Sequence, residues 1–167
     1  MNEITVYYLE MTQLGQLVEK TSDKGLVIRE AVVKQWKVNR FLYDLIGEDW
    51  AWLDKLGWSA ERWAEYAESD RLRTWIAYSQ GSIAGYFELK KIDVSTTELA
   101  YFGLAPLFVG CGFGGYFLSQ AVNEAWRWGN TERVIVNTCS LDHPVALSNY
   151  KSRGFRIYDQ KTTTSEN

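Results

Sequence analysis

The sequence predicts an α+β fold: a mixed, mostly antiparallel central sheet with helices on both faces. Three observations carry that prediction. Three β-rich runs follow one another with short connections across residues 73–105, a glycine-rich turn then opens a helical stretch, and strand and helix patterns alternate after it.

Taken in order, ITVYYLEM (4–11) reads as an opening strand, and LVIREAVV (26–33) as a second extended run after the polar TSDKG break. The period then changes: Trp36, Phe41, Leu42, Leu45 and Ile46 suit a helix ending near Gly47. Ser59 caps a second helix, with Arg62 three positions on in place of the Glu of a capping box. RTWIAYS (73–79), IAGYFELKKI (83–92) and TELAYFGLA (97–105) form an antiparallel meander. After the glycines, Phe117, Leu118, Ala121, Val122, Ala125 and Trp126 fall on one helical stripe that ends at Gly129. A strand VIVNTC (134–139), a helix over 144–153 and a strand FRIYD (155–159) complete the pattern. Residues 1–160 read as a single domain, and 161–167 as a frayed tail.

Composition narrows the function classes. A chain of 167 residues, 46% hydrophobic and 23% charged, can bury about two-thirds of its unfolded surface. No run of eighteen apolar residues and no basic-then-apolar N-terminus is present, so a cytoplasmic protein without membrane contact is expected. The net charge of -3 and scattered Lys and Arg argue against a nucleic-acid partner. Cys111, Cys139 and His143 are too few and too scattered for a metal site, so none is expected. Eight tryptophans crowd mainly into residues 36–75, where core packing accounts for most of them.

The segment LAPLFVGCGFGG (104–115) holds the chemistry. Glycines let the backbone turn with N–H groups pointing inward, and the helix start adds unpaired amides and the positive end of its dipole. Such a loop suits a nucleotide diphosphate. Gly110, Gly112 and Gly115 satisfy the dinucleotide spacing G-x-G-x-x-G, but Pro106 breaks the preceding strand first, and Asn137 and Thr138 stand where an acidic residue belongs. A phosphate loop of the Walker type would need Lys after its last glycine, whereas Tyr116 follows Gly115.

From residue 97 to 155 the sequence resembles the GNAT superfamily of acyl-CoA-dependent N-acetyltransferases. TELAYFGLAP looks like that family's fourth strand, VGCGFG like its pyrophosphate loop, and Ala146, Tyr150, Gly154 and Phe155 like its closing helix and turn. Val109 departs from the family's Gln or Arg, and His143 from its Asn. The resemblance implies the acyl-CoA N-acyltransferase fold, acetyl-CoA as acyl donor, and a primary amine of a small molecule or peptide as acceptor. It also implies that the backbone of Phe102, Gly103 and Leu104 pairs with pantetheine, and that Val109, Gly110, Cys111, Gly112, Phe113, Gly114 and Gly115 grip the diphosphate. By the same resemblance His143 and Asn149 would lie at the edge of the bound donor, and Tyr150 would be the proton donor to the leaving thiolate.

Gly103, close to Pro106, is the expected β-bulge. Glu98 is the expected base, because alternation along the strand places it on one face with Ala100, Phe102 and Leu104; a solvated or salt-bridged carboxylate suits the same position. Glu88 is the reserve. Glu48, Asp49 and Asp54, interleaved with Trp50 and Trp52, suit a cationic acceptor or equally a solvated helix end. Two other functions stay open at this level: a CoA-binding sensor without turnover and a nicotinamide-dinucleotide oxidoreductase. The oligomeric state is not legible, and a homodimer is compatible with the sequence.

Overall fold

The computed structural model describes residues 2–50 and 52–165. Its seven strands are β1 (Asn2–Met11), β2 (Val27–Glu30), β3 (Leu72–Ser79), β4 (Ser82–Lys91), β5 (Thr96–Leu104), β6 (Arg133–Cys139) and β7 (Arg156–Ser165). Four helices accompany them: α1 (Trp36–Gly47), α2 (Ala60–Ala67), α3 (Gly114–Arg127) and α4 (Ala146–Ser152). One sheet takes them in the order β2-β3-β4-β5-β6-β1-β7, antiparallel at every step except the parallel pair β5 and β6.

Each face of the sheet buries its own cluster. Phe87, Leu89 and Leu99 pack under the α3 stripe of Phe117, Leu118, Ala121, Val122 and Ala125. On the opposite face Ile76, Tyr86 and Ala105 meet Leu42 and Ile46 of α1. Alternation along β4 divides the two sets, Tyr86 to one side and Phe87 to the other. The Ser59 hydroxyl accepts from the Arg62 N–H and starts α2, as its cap position predicts.

Three local expectations need correction. The strand expected to begin at residue 26 is shorter and ends at Glu30. The expected frayed tail is strand through Ser165, paired to β1, and its β-branched Thr162, Thr163 and Thr164 suit that state. The bulge lies at Ala100 rather than Gly103: Glu88 opposes Tyr101 while Leu89 opposes Leu99, leaving Ala100 as the extra residue. Gly103 stays in register with Tyr86 and serves close packing, since a Cβ there would stand 2.5 Å from the Ile46 methyl.

Candidate active site

Strands β5 and β6 pair only at Thr96, Thr97 and Glu98, opposite Arg133, Val134 and Ile135, and then diverge. Beyond that point one edge of β5 has no strand beside it among the described residues. The Ala105 N–H donates to Ala84 O on β4 at 2.8 Å, so alternation turns the Leu104 and Phe102 backbone groups toward the opening. A cavity of about 900 Å³ occupies it, lined by Leu99 to Leu104 on one side and Asn137 to Cys139 on the other.

The glycine loop closes one end of this cavity. Pro106, Leu107 and Phe108 form a short 3-10 turn between β5 and the loop, so the strand does not run directly into the glycines as a dinucleotide fold requires. Gly110 and Gly112 adopt φ of +80° and +83°, conformations other residues rarely hold. No side chain of the described residues caps the first turn of α3, whose leading amides, those of Gly114, Gly115 and Tyr116, precede the Phe117 N–H bonded to Phe113 O. The Asn149 amide donates to Gly114 O at 3.2 Å and ties α4 to this turn. Val109, Gly110, Gly112, Phe113, Gly114 and Gly115 all line the cavity, whereas Cys111 is exposed and points elsewhere.

Tyr150 reaches the cavity from the α3 side. Its ring packs on Phe102 and Phe155, with centroids 6.3 and 6.0 Å away, and its hydroxyl has no hydrogen-bond partner among the described residues. Burial, with a smaller contribution from the Asp142 carboxylate, pushes its ionisation well above the usual phenol range. Tyr150 therefore stays a proton carrier throughout neutral and mildly alkaline pH. His143 lies at the rim, its Nδ1 accepting from the Val145 N–H at 3.1 Å and its ring 4.7 Å from that of Trp50.

Glu98 enters from the opposite face, which corrects its expected placement. The extra residue at Ala100 shifts the alternation by one, so Leu99 shares the α3 face with Phe102 while Glu98 pairs with Lys90 and shares a face with Tyr101. Burial raises the Glu98 carboxyl above its ordinary value, against the opposing pull of the Lys90 and Lys55 ammonium groups. It lines the cavity together with Lys90, Tyr66 and Lys55.

Lys55, Asp54, Tyr66 and Tyr101 form a polar and aromatic group that the sequence reading largely missed. The buried Lys55 ammonium donates to Asp54 and to the Tyr101 hydroxyl, both at 2.9 Å, and lies 4.4 to 4.7 Å from the ring centres of Trp58, Tyr66 and Tyr101. Burial pushes the Asp54 carboxyl up, but hydrogen bonds from Tyr101 and Lys55 more than reverse this and hold it below its ordinary value. Two expected acceptor residues stand apart. Glu48 is exposed and does not line the cavity, because α1 ends before it and its turn faces outward. Glu88 is buried behind Tyr66, one oxygen accepting from Asn39 at 2.9 Å and the other from Tyr66 at 2.7 Å. Trp50 and Trp52 do line the cavity, Trp52 packing 4.9 Å from Tyr101.

Comparison with known proteins agrees with this arrangement. The sequence profile of the Acetyltransferase (GNAT) family matches residues 39–155, while no curated protein sequence matches the chain. Among solved structures, a GCN5-related N-acetyltransferase from Sphaerobacter thermophilus superposes with a TM-score of 0.70 at 14% identity, over 94% of this chain and 49% of that one. One from Kribbella flavida gives 0.68 at 13% identity, over 95% and 56%. A GNAT family acetyltransferase from Elizabethkingia anophelis, solved with acetyl-CoA bound, gives 0.59 at 21% identity, over 81% and 78%. The chain thus spans about half the length of the first two. No helix among the described residues is long and apolar enough to cross a membrane. With its matching profile spanning well over half the sequence and its sheet opened between β5 and β6, the chain belongs to the GNAT family of acetyltransferases, which use acyl-CoA as donor.

Proposed function

We propose that this protein is an N-acetyltransferase that moves an acetyl group from acetyl-CoA to a primary amine of a small molecule or peptide by direct attack. The observation that carries the reading is the opening between β5 and β6, with the glycine loop at its end and Tyr150 and Glu98 entering from opposite faces. The residues fit the donor. The amides of Gly110 and of residues 112–115 receive its diphosphate, those of Val109 and Cys111 being bonded to Pro106 O and Phe108 O within the loop, and the free edge of Phe102 to Leu104 pairs with the pantetheine arm as a further strand would. In this reading the Leu104 N–H holds the acyl oxygen as negative charge develops on it.

The remaining steps are proton transfers. Glu98, its carboxyl raised by burial, accepts the proton of the incoming ammonium directly or through water, and the neutral amine attacks the carbonyl carbon. The C–N bond forms, the C–S bond breaks, and Tyr150 donates its proton to the departing thiolate. Asn149 and His143 line the donor side. Trp50 and Trp52, with the Asp54 and Tyr101 group, line the acceptor side. The free thiols of Cys111 and Cys139 suit a reducing, cytoplasmic setting.

The test is a thermal-shift series with acetyl-CoA, CoA and NADH, followed by a mass-spectrometric screen of acetyl-CoA against a panel of amines. The CoA species raise the melting temperature, NADH does not, and at least one primary amine gains an acetyl group. Binding of the CoA species with no acetylated product across the panel favours a non-catalytic sensor instead.

A further inference from the structure

The glycine loop has a second half that neither the fold nor the family match assigns. Arg153, at the end of α4, is 7% exposed, and its Nε and Nη1 are buried without a hydrogen-bond partner among the described residues. A guanidinium is a set of donors with no acceptor, so leaving them buried and unpaired is costly unless an anion meets them. The group is aimed at the first turn of α3: a Cβ built on Gly115 would stand 2.9 Å from Nη1. The same Cβ would lie 3.0 Å from Cγ of Lys20, and one on Gly112 would collide with the Lys24 ammonium. Two lysines from the loop between β1 and β2 therefore flank the amides that Arg153 faces.

That loop is held in place. The Lys20 N–H donates to the Ser119 hydroxyl at 2.9 Å, the hydroxyl donates to Gly115 O at 2.8 Å, and the Val18 N–H donates to Arg153 O at 2.9 Å. Its own acids are engaged elsewhere, Glu19 accepting from Asn123 at 2.8 Å and Asp23 from the Gly25 N–H at 2.7 Å. Lys20, Lys24 and Arg153 take part in no ion pair among the described residues. Val109, in contrast, offers the loop no side-chain donor.

We propose that Lys20, Lys24 and Arg153 form the side-chain half of a diphosphate clamp, closing over an anion whose other side rests on the amides of Gly110 and of residues 112–115. The proposal rests on the acyl-CoA reading above and adds the residues that bind its charge. Arg153 supplies the directional donors; the two lysines supply charge from the solvent side.

Calorimetric titration with CoA, dephospho-CoA and pantetheine tests it. In Arg153→Gln, and in the double variant Lys20→Ala, Lys24→Ala, affinity for CoA and dephospho-CoA falls by about tenfold or more, equally for both, and the dependence of Kd on salt becomes shallower. Affinity for pantetheine, which lacks phosphate, does not change. Undiminished CoA affinity in the double variant overturns the clamp, as does a loss seen with CoA and absent with dephospho-CoA, which would assign these residues to the 3′-phosphate. The two lysines are exposed, so the double variant decides the matter even if Arg153→Gln fails to fold. Wild-type protein that binds neither CoA nor dephospho-CoA sinks the acyl-CoA reading along with the clamp, whereas wild-type binding matched by the variants sinks the clamp alone.

Discussion

Replacing Gly154 by alanine separates two costs that glycine avoids at the turn between α4 and β7. Its φ of +106° is strained for any residue with a Cβ, by about 1–2 kcal/mol. A Cβ there would also overlap the Gln16 carbonyl oxygen, with the Gln16 carbon 2.9 Å away and Leu17 Cα at 3.5 Å. Those atoms are backbone and cannot rotate aside, so the loop after β1 must move, which adds about 1–3 kcal/mol. The hydrogen bond from Val18 N–H to Arg153 O, 2.9 Å long, lies on that same loop and loses about 1 kcal/mol if it breaks. Gly154→Ala should therefore lose about 3–6 kcal/mol, read in urea as a lower midpoint with an unchanged slope. Gly110→Ala is the control: its φ is +80°, but nothing among the described residues lies within 4 Å of a Cβ there, so only the conformational strain of about 1 kcal/mol applies. Equal losses in the two variants would refute the argument from backbone overlap.

Three further outcomes follow from the site and the sheet. Tyr150→Phe keeps the ring contacts with Phe102 and Phe155 and gives up no hydrogen bond among the described residues, so stability and CoA affinity hold while kcat falls about 100-fold in a thiol-release assay; unaltered kcat removes the phenol from the mechanism. Because Glu98 is raised above the ordinary carboxylate value, the rate should climb with pH through that raised value, and Glu98→Gln should abolish this limb and slow the plateau about 100-fold; a profile identical to wild type would exclude Glu98 as base. Glu10 is drawn up by burial but more strongly down by Arg133 and Arg156, at 2.7 and 3.1 Å, to below its ordinary 4.5. Its contribution is then full above that ordinary value and disappears as pH falls through the depressed one, so Glu10→Gln should cost about 1 kcal/mol at pH 7, kept small by solvent around the arginines, and nothing near pH 2; a pH-independent deficit would count against the ion pairs.

Much of the fold was legible because its signals are local. The stripe from Phe117 to Ala125, the cap at Ser59 and the meander from β3 to β5 each lie within a few residues of one another. The glycine loop and the closing motif were legible for the same reason. The bulge at Ala100 was not, since neither glycine nor proline marks it and only the register against β4 reveals it. That single residue moved Glu98 to the other face. Lys55, Tyr66, Lys20, Lys24 and Arg153 were missed because their relevance comes from contacts between distant segments. The one local trace was the run of threonines in β7, whose β-branched side chains argue for a strand where a tail was expected.

The inserted alanine in β5 also gives the protein a division of labour. In the proposed reaction one strand would turn its edge and one face toward the thioester, and its other face toward the molecule that receives the acyl group. On that proposal, mutations around α1 and α2 would remodel recipient preference while thioester capture persists, and excising Ala100 would collapse that independence by swinging the carboxylate at position 98 across the sheet.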